Sequence, residues 1–246
     1  MDEFTHKVAV VTGAGRGIGR EIALVLASLG AEIAANDINP INLDETVSQI
    51  IQAGGSARPY VFDIAKRMPI EGMVVQVLAD FGRIDILINH ASVHPDAALL
   101  EMDEWEFHRT IDVNLGGSFF CMQQIGRAMR EQGGGSIVNL ITFDDKGYQH
   151  GHTAHSACQA ALAGLTRAAA SELSAYGIRV NAIYSGQSSN EFFSPSELDA
   201  IQLQAWRELH PQLLVPTHTD LVVKVAYLCS GEAVSMNGLI LAARIT

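Results

Sequence analysis

Short runs of apolar, β-branched residues alternate along the chain with longer segments whose apolar positions recur every three to four residues. The short runs predict strands at 7–12, 32–37, 57–63, 84–89, 136–142, 178–184 and 239–243. The longer segments predict helices near 17–29, 40–53, 70–81, 103–132, 153–175 and 219–230. Several strand runs are apolar throughout, as parallel strands covered on both faces require. The alternation predicts one α/β domain over residues 1–246, a doubly wound parallel sheet of about seven strands with helices on both faces. Gly30 and Gly177 fall where helix-ending glycines belong. The segment 185–218 breaks the pattern, being polar and holding Pro195, Pro211 and Pro216, and is expected to form a lid-like insertion.

Composition narrows the functional classes. The chain has 246 residues, 48% of them hydrophobic, enough to bury one large core. Its formal net charge of −11 argues against nucleic acid or an anionic membrane as a partner. Cys121, Cys158 and Cys229 are odd in number and lie in apolar surroundings, which suits neither disulfides nor a Cys-rich metal site. No signal-peptide pattern or bilayer-length apolar run is present, so the cytoplasm is the expected location.

Chemistry first enters at VAVVTGAGRGIGREIALVLASLGA, where Gly13, Gly17 and Gly19 lie between an apolar strand and an amphipathic helix. Glycines let a diphosphate approach the backbone, and the helix start offers free N–H groups and the positive end of a dipole. This is the turn of a Rossmann-type nucleotide-binding sheet. Asp37 ends the second strand, 24 residues after Gly13. A carboxylate there accepts hydrogen bonds from ribose hydroxyls and repels a 2′-phosphate, which favours NAD over NADP.

TGAGRGIG (12–19), FDI (62–64), ILINHAS (86–92), IDVNLGGSFF (111–120) and GIRVNAI (177–183) together resemble the short-chain dehydrogenase/reductase family, across nearly the whole chain. The resemblance implies NAD contacts at Gly13, Arg16, Gly17, Ile18, Gly19 and Asp37, adenine contacts at Asp63 and Ile64, and a cofactor-side strand end at Asn89 and Ala91. His90 and Ser92 depart from the family's Asn-Asn-Ala-Gly pattern. The family's catalytic Asn, Ser, Tyr and Lys fall on Asn114, Thr142, His155 and Gln159.

Asn114 keeps the family's residue, and of the other three positions two depart severely. The family's Tyr and Lys sit one helical turn apart, so that the ammonium lowers the phenol pKa and holds the cofactor ribose. None of Tyr60, Tyr148, Tyr176, Tyr184 and Tyr227 has Lys four residues on, so no shifted alignment restores the pair. Thr142 keeps a hydroxyl. His155 titrates near neutrality, but an imidazole reaches roughly 2 Å less far than a phenol, and a misplacement of about 1 Å costs on the order of 100-fold. Gln159 can bond a ribose hydroxyl but carries no charge. After VNAI, in YSGQSSNEFF, Ser185 replaces the Pro of the family's Pro-Gly, Gly186 is kept, and Asn190 stands where the family has Thr.

The adenine-diphosphate half of the site is therefore kept, and the half that does chemistry has drifted. The resemblance implies a non-catalytic subunit supporting an active, homologous NAD-dependent alcohol (3-hydroxyacyl-type) dehydrogenase in a hetero-oligomer, a tetramer built through helices near 103–132 and 153–175. The alternative is an active NAD-dependent oxidoreductase interconverting an alcohol and a ketone with an atypical Thr142, His155 and Asn114 site. Asp144, Asp145, His150, His152 and His155 crowd one stretch, but their spacing matches no standard metal motif, and no metal is expected. Asp103 is the expected cap of the helix at 103.

Overall fold

The computed structural model describes residues 3–142, 150–185, 200–210 and 220–243. Seven strands form one sheet: β1 (Val8–Thr12), β2 (Glu32–Asp37), β3 (Ser56–Val61), β4 (Ile86–Asn89), β5 (Gly135–Thr142), β6 (Ile178–Ser185) and β7 (Ile240–Ala243). Their order is β3-β2-β1-β4-β5-β6-β7, and every pair is parallel. The order reverses between β1 and β4, so the loops after those two strands splay apart and open a crevice at their carboxyl ends.

Alternation along the strands divides the core in two. Ala9 and Val11 face one layer with Ile22 and Leu26 of α1 (Gly17–Ser28), Leu43 and Ile50 of α2 (Pro40–Gln52), and α8 (Asp220–Cys229). Val8 and Val10 face the other, with Ile70 and Met73 of α3 (Arg67–Phe81) and Cys121 and Ile125 of α5 (Ser118–Gln132). Pro59 lies in β3, whose only neighbour is β2, and an edge strand tolerates its missing N–H. The three cysteine thiols are free and buried.

The helix expected over 103–132 is not uniform. Asp103 caps α4 (Glu104–Ile111) by accepting from Glu106 N at 2.7 Å, as expected. A π-helical turn then runs from Asp112 to Gly117 before α5 resumes the α form. The extra residue per turn rephases the helix at Asn114, a local departure often found at functional sites.

Within the expected insertion, 186–199 and 211–219 lie outside the described residues, Gly186 and Asn190 among them. The described part holds α7 (Ala200–Glu208), docked on the core by Trp206, which is 3% exposed and meets Tyr227 of α8 edge-on. Asp144, Asp145 and Tyr148 also lie outside the described residues.

Candidate functional site

The crevice between the ends of β1 and β4 is a cleft of about 970 Å³, counting its open mouth. Gly13, Arg16, Asp37, Asp63, Ile64 and Ala91 line it, six of the ten residues expected to hold a cofactor. Thr12 ties its two walls together, its hydroxyl accepting from His90 N at 3.0 Å and Ala91 N at 3.2 Å.

The glycines are there for close packing. A Cβ on Gly19 would stand 2.1 Å from Gly13 O, and one on Gly13 would stand 2.9 Å from Ala91 Cα. Gly13 and Gly17 have φ of +69° and +54°, which other residues adopt only with strain. Gly17 has nothing within 4 Å of the space a side chain would fill. α1 starts there with Arg16 as N-cap, no side-chain cap bond and no acidic residue in its first turn. Its leading N–H groups are left for an anionic ligand, so this turn fits a dinucleotide diphosphate. Ile18 packs against the core from the first turn.

Asp37 is braced toward the turn. Its Oδ2 accepts from Gly15 N at 2.9 Å and its Oδ1 from Asn39 N at 2.9 Å. Asp63 accepts from Ala65 N at 3.0 Å through Oδ1 and from Arg109 at 2.9 Å through Oδ2. Burial alone would raise the Asp63 pKa, but the Arg109 hydrogen bond, with the Ala65 N–H and nearby cations, holds it below the usual carboxylate value. Asn89 lies beneath the cleft rather than in its wall. Its Nδ2 donates to Asn139 Oδ1 at 2.9 Å, and Asn139 in turn donates to Thr166 at 2.9 Å, a buried polar chain from β4 to α6 (Thr153–Leu173).

The four residues at the catalytic positions form one closed network. Asn114 Nδ2 donates to Val93 O and its Oδ1 accepts from Val93 N, both at 2.7 Å, which fixes the orientation of its amide. The remaining amide hydrogen points to His155 Nδ1 at 3.2 Å. His155 Nε2 donates to the Thr142 carbonyl at 3.0 Å. With its proton on Nε2 the ring meets both contacts and turns the Nδ1 lone pair to Asn114, whereas with its proton on Nδ1 it would donate to Val93 O at 3.4 Å. The Thr142 hydroxyl lies 3.5 Å from the same Nε2. Burial pulls the His155 pKa below its ordinary value, opposed by the carbonyls of Thr142 and Val93.

Gln159 Oε1 accepts from Thr142 N at 3.0 Å, extending the β5 ladder by one side chain. His155 is 7% exposed and Gln159 only 2%. The two residues at the family's Tyr and Lys positions both close onto the end of β5. Gln159 Oε1 and the His155 Nε2 both meet Thr142, so the pair braces the strand end.

Sequence patterns did not single out Arg109, which lines the cleft one helical turn before Val113. That i, i+4 placement ahead of a cleft-lining residue was the available signal. His90 lines the wall beside Gly13 and Gly19, and its Nδ1 is buried with no partner among the described residues. Burial pushes its pKa down to about 4. The rings of His94, His152 and His155 gather at the other end, with centroids 5.7 to 6.5 Å apart.

Residues 7–199 match a family model described as short chain dehydrogenase. Among similar proteins, the short-chain reductase protein NovJ of Streptomyces niveus is 41% identical over 74% of this chain and 69% of its own. The (2S)-[(R)-hydroxy(phenyl)methyl]succinyl-CoA dehydrogenase subunit BbsD of Thauera aromatica is 38% identical over 74% of this chain and 73% of its own. Among solved structures, an NAD+-bound xylitol dehydrogenase superposes with a TM-score of 0.79 at 28% identity, covering 98% of each chain.

Proposed function

Since the chain belongs to the short-chain dehydrogenase/reductase family, we propose that it is a catalytically degenerate member, a subunit that supports an active NAD-dependent dehydrogenase of 3-hydroxyacyl-type alcohols in a cytoplasmic hetero-oligomer. One observation carries the proposal. Both ring nitrogens of His155 lie within hydrogen-bonding distance of protein groups, Nε2 at the Thr142 carbonyl and Nδ1 at the Asn114 amide and the Val93 carbonyl, and Gln159 accepts from Thr142 N. Hydride transfer from an alcohol needs a base aimed at the carbinol proton. Among the described residues, both His155 nitrogens have protein groups beside them and Gln159 carries no charge, which supports this reading.

NAD is the cofactor this reading assigns. It supplies the hydride acceptor or donor when bound in an active member of the family. The turn at Gly13, Gly17 and Gly19 would hold its diphosphate, with Arg16 and Ile18 flanking. Asp37 would accept from the ribose hydroxyls and repel a 2′-phosphate. Asp63 and Ile64 would meet the adenine, and Ala91, carried on Asn89, would complete the wall.

The partner surface in this reading is the α5–α6 face. Phe119, Met122, Leu165, Leu173 and Tyr176 line an apolar groove there, rimmed by Arg127, Arg130 and Glu172. Ala157, Ala160, Ala161, Gly164 and Ala168 stand exposed along α6, small enough for another helix to approach closely. The Thauera relative, named as a dehydrogenase subunit, gives the kind of assembly proposed.

The test is assembly. Co-expressed with a family member that keeps Tyr and Lys at the positions of His155 and Gln159, the chain should form a mixed tetramer by native mass spectrometry. Alcohol oxidation by that tetramer should drop when this chain is omitted. Sorting into two homo-oligomers would overturn the proposal. A second reading, an active oxidoreductase interconverting an alcohol and a ketone through Thr142, His155 and Asn114, draws on the 3.5 Å contact between the Thr142 hydroxyl and His155. It requires turnover by the isolated chain that His155→Ala abolishes.

A further inference from the structure

Asp37 and Asp63 are the two carboxylates among the residues lining the cleft. They are held differently. Asp37 is braced by backbone N–H groups toward the glycine turn. Asp63 sits on the β3–α3 loop among Ile38, Phe62, Ile64 and Val113, an apolar slot suited to a flat base. Ile38 is 62% exposed and lines the same cleft. A carboxylate at the edge of such a slot selects a base whose edge presents a hydrogen-bond donor, such as an exocyclic amino group.

Arg109 reaches this carboxylate from across the cleft. It leaves the last turn of α4, and its Nη1 donates to Asp63 Oδ2 at 2.9 Å. Lys66 makes a parallel link to Asp112 at 3.0 Å, so two ion pairs stitch the loop at 63–66 to the helix that bears Asn114. Asp63 Oδ1 already accepts from Ala65 N. With one oxygen bonded to the backbone and the other to Arg109, the carboxylate is held in one orientation at the cleft wall.

We propose that Arg109 is a specificity-determining positioning residue for the cofactor's base: by bonding one oxygen of Asp63 and so fixing how the carboxylate is presented, it selects a 6-amino purine over a 6-oxo purine. A 6-oxo group would set a carbonyl oxygen against the carboxylate, two acceptors with no proton between them. This rests on the proposed NAD binding and assigns Arg109 no contact with the reacting atoms.

The test compares NAD with nicotinamide hypoxanthine dinucleotide, which differs in replacing the 6-amino group by an oxo group. Calorimetric titration of the full chain should show NAD bound about tenfold more tightly, the value of one hydrogen bond to a charged group. In Arg109→Ala the preference should fall to about twofold or less, while in Arg109→Lys, which keeps the charge, part of it should return. A purely structural role for Arg109 would weaken both dinucleotides alike and leave their ratio unchanged, and that result would overturn the proposal. Equal binding of the two by the unmodified chain would overturn it as well, leaving the cofactor reading intact. Binding of neither would overturn the cofactor reading itself, and this proposal with it.

Discussion

His155 stands where the family keeps its tyrosine, and protein groups surround its ring. Its ring is held at both nitrogens, by the Thr142 carbonyl and by an Asn114 amide that two Val93 backbone bonds orient. Removing Asn114 would orphan the Val93 groups and the His155 lone pair together. Asn114→Ala should therefore cost about 2 kcal/mol, read as a fall in the urea midpoint at unchanged slope. His90 gives a pH signature. An unfolded histidine takes up a proton below about 6.5, whereas buried His90 stays neutral down to about 4, and His155 is shifted the same way. The unfolded state binds more protons across that window, so stability is full above it and falls as pH drops through it. His90 alone should account for about 3 kcal/mol by pH 4. His90→Asn, which restores the residue usual in the family motif, should flatten that limb of the stability profile. The Asp63 and Asp85 carboxylates, both held low, act only at more acidic pH. The identity of these residues was legible in the sequence, but their partners were not. Nothing in the spacing of His155 and Gln159 says that both close on Thr142, because that contact depends on where β5 ends against α6.

At the scale of elements, strands and helices were legible because their periods differ. β2 occupies the predicted span of Glu32–Asp37, since its apolar run is bounded by the Gly30 turn on one side and NDINP on the other. The π-helical turn from Asp112 to Gly117 was not legible. IDVNLGG keeps a helical apolar pattern, and one extra residue in a turn leaves no trace at that resolution. α7 was missed for the opposite reason, because the surrounding prolines and polar residues masked a nine-residue helix with a single large anchor. That anchor makes a prediction. Trp206→Ala should cost about 3 kcal/mol. Hydrogen exchange should speed up across α7 before the sheet is affected, because Trp206 stacks on His210 and Tyr227 and ties the helix to α8.

Across the whole molecule, the reversal of strand order between β1 and β4 fixes where a nucleotide can sit, and the sequence revealed this through the glycine turn and Asp37. The proposed assembly would use a different surface. Gly164 is exposed on α6 with nothing within 4 Å of where a side chain would start. Gly164→Arg should leave folding intact and reduce the mass in solution below that of a tetramer, as read by light scattering. The claim that joins these scales is that the chain keeps a nucleotide cleft without a working proton acceptor. The most direct test is NADH formation at 340 nm by the purified chain alone, saturated with NAD and supplied with a panel of secondary alcohols that includes 3-hydroxyacyl thioesters. The account predicts no turnover above the uncatalysed rate. Sustained turnover that disappears in His155→Ala would contradict it.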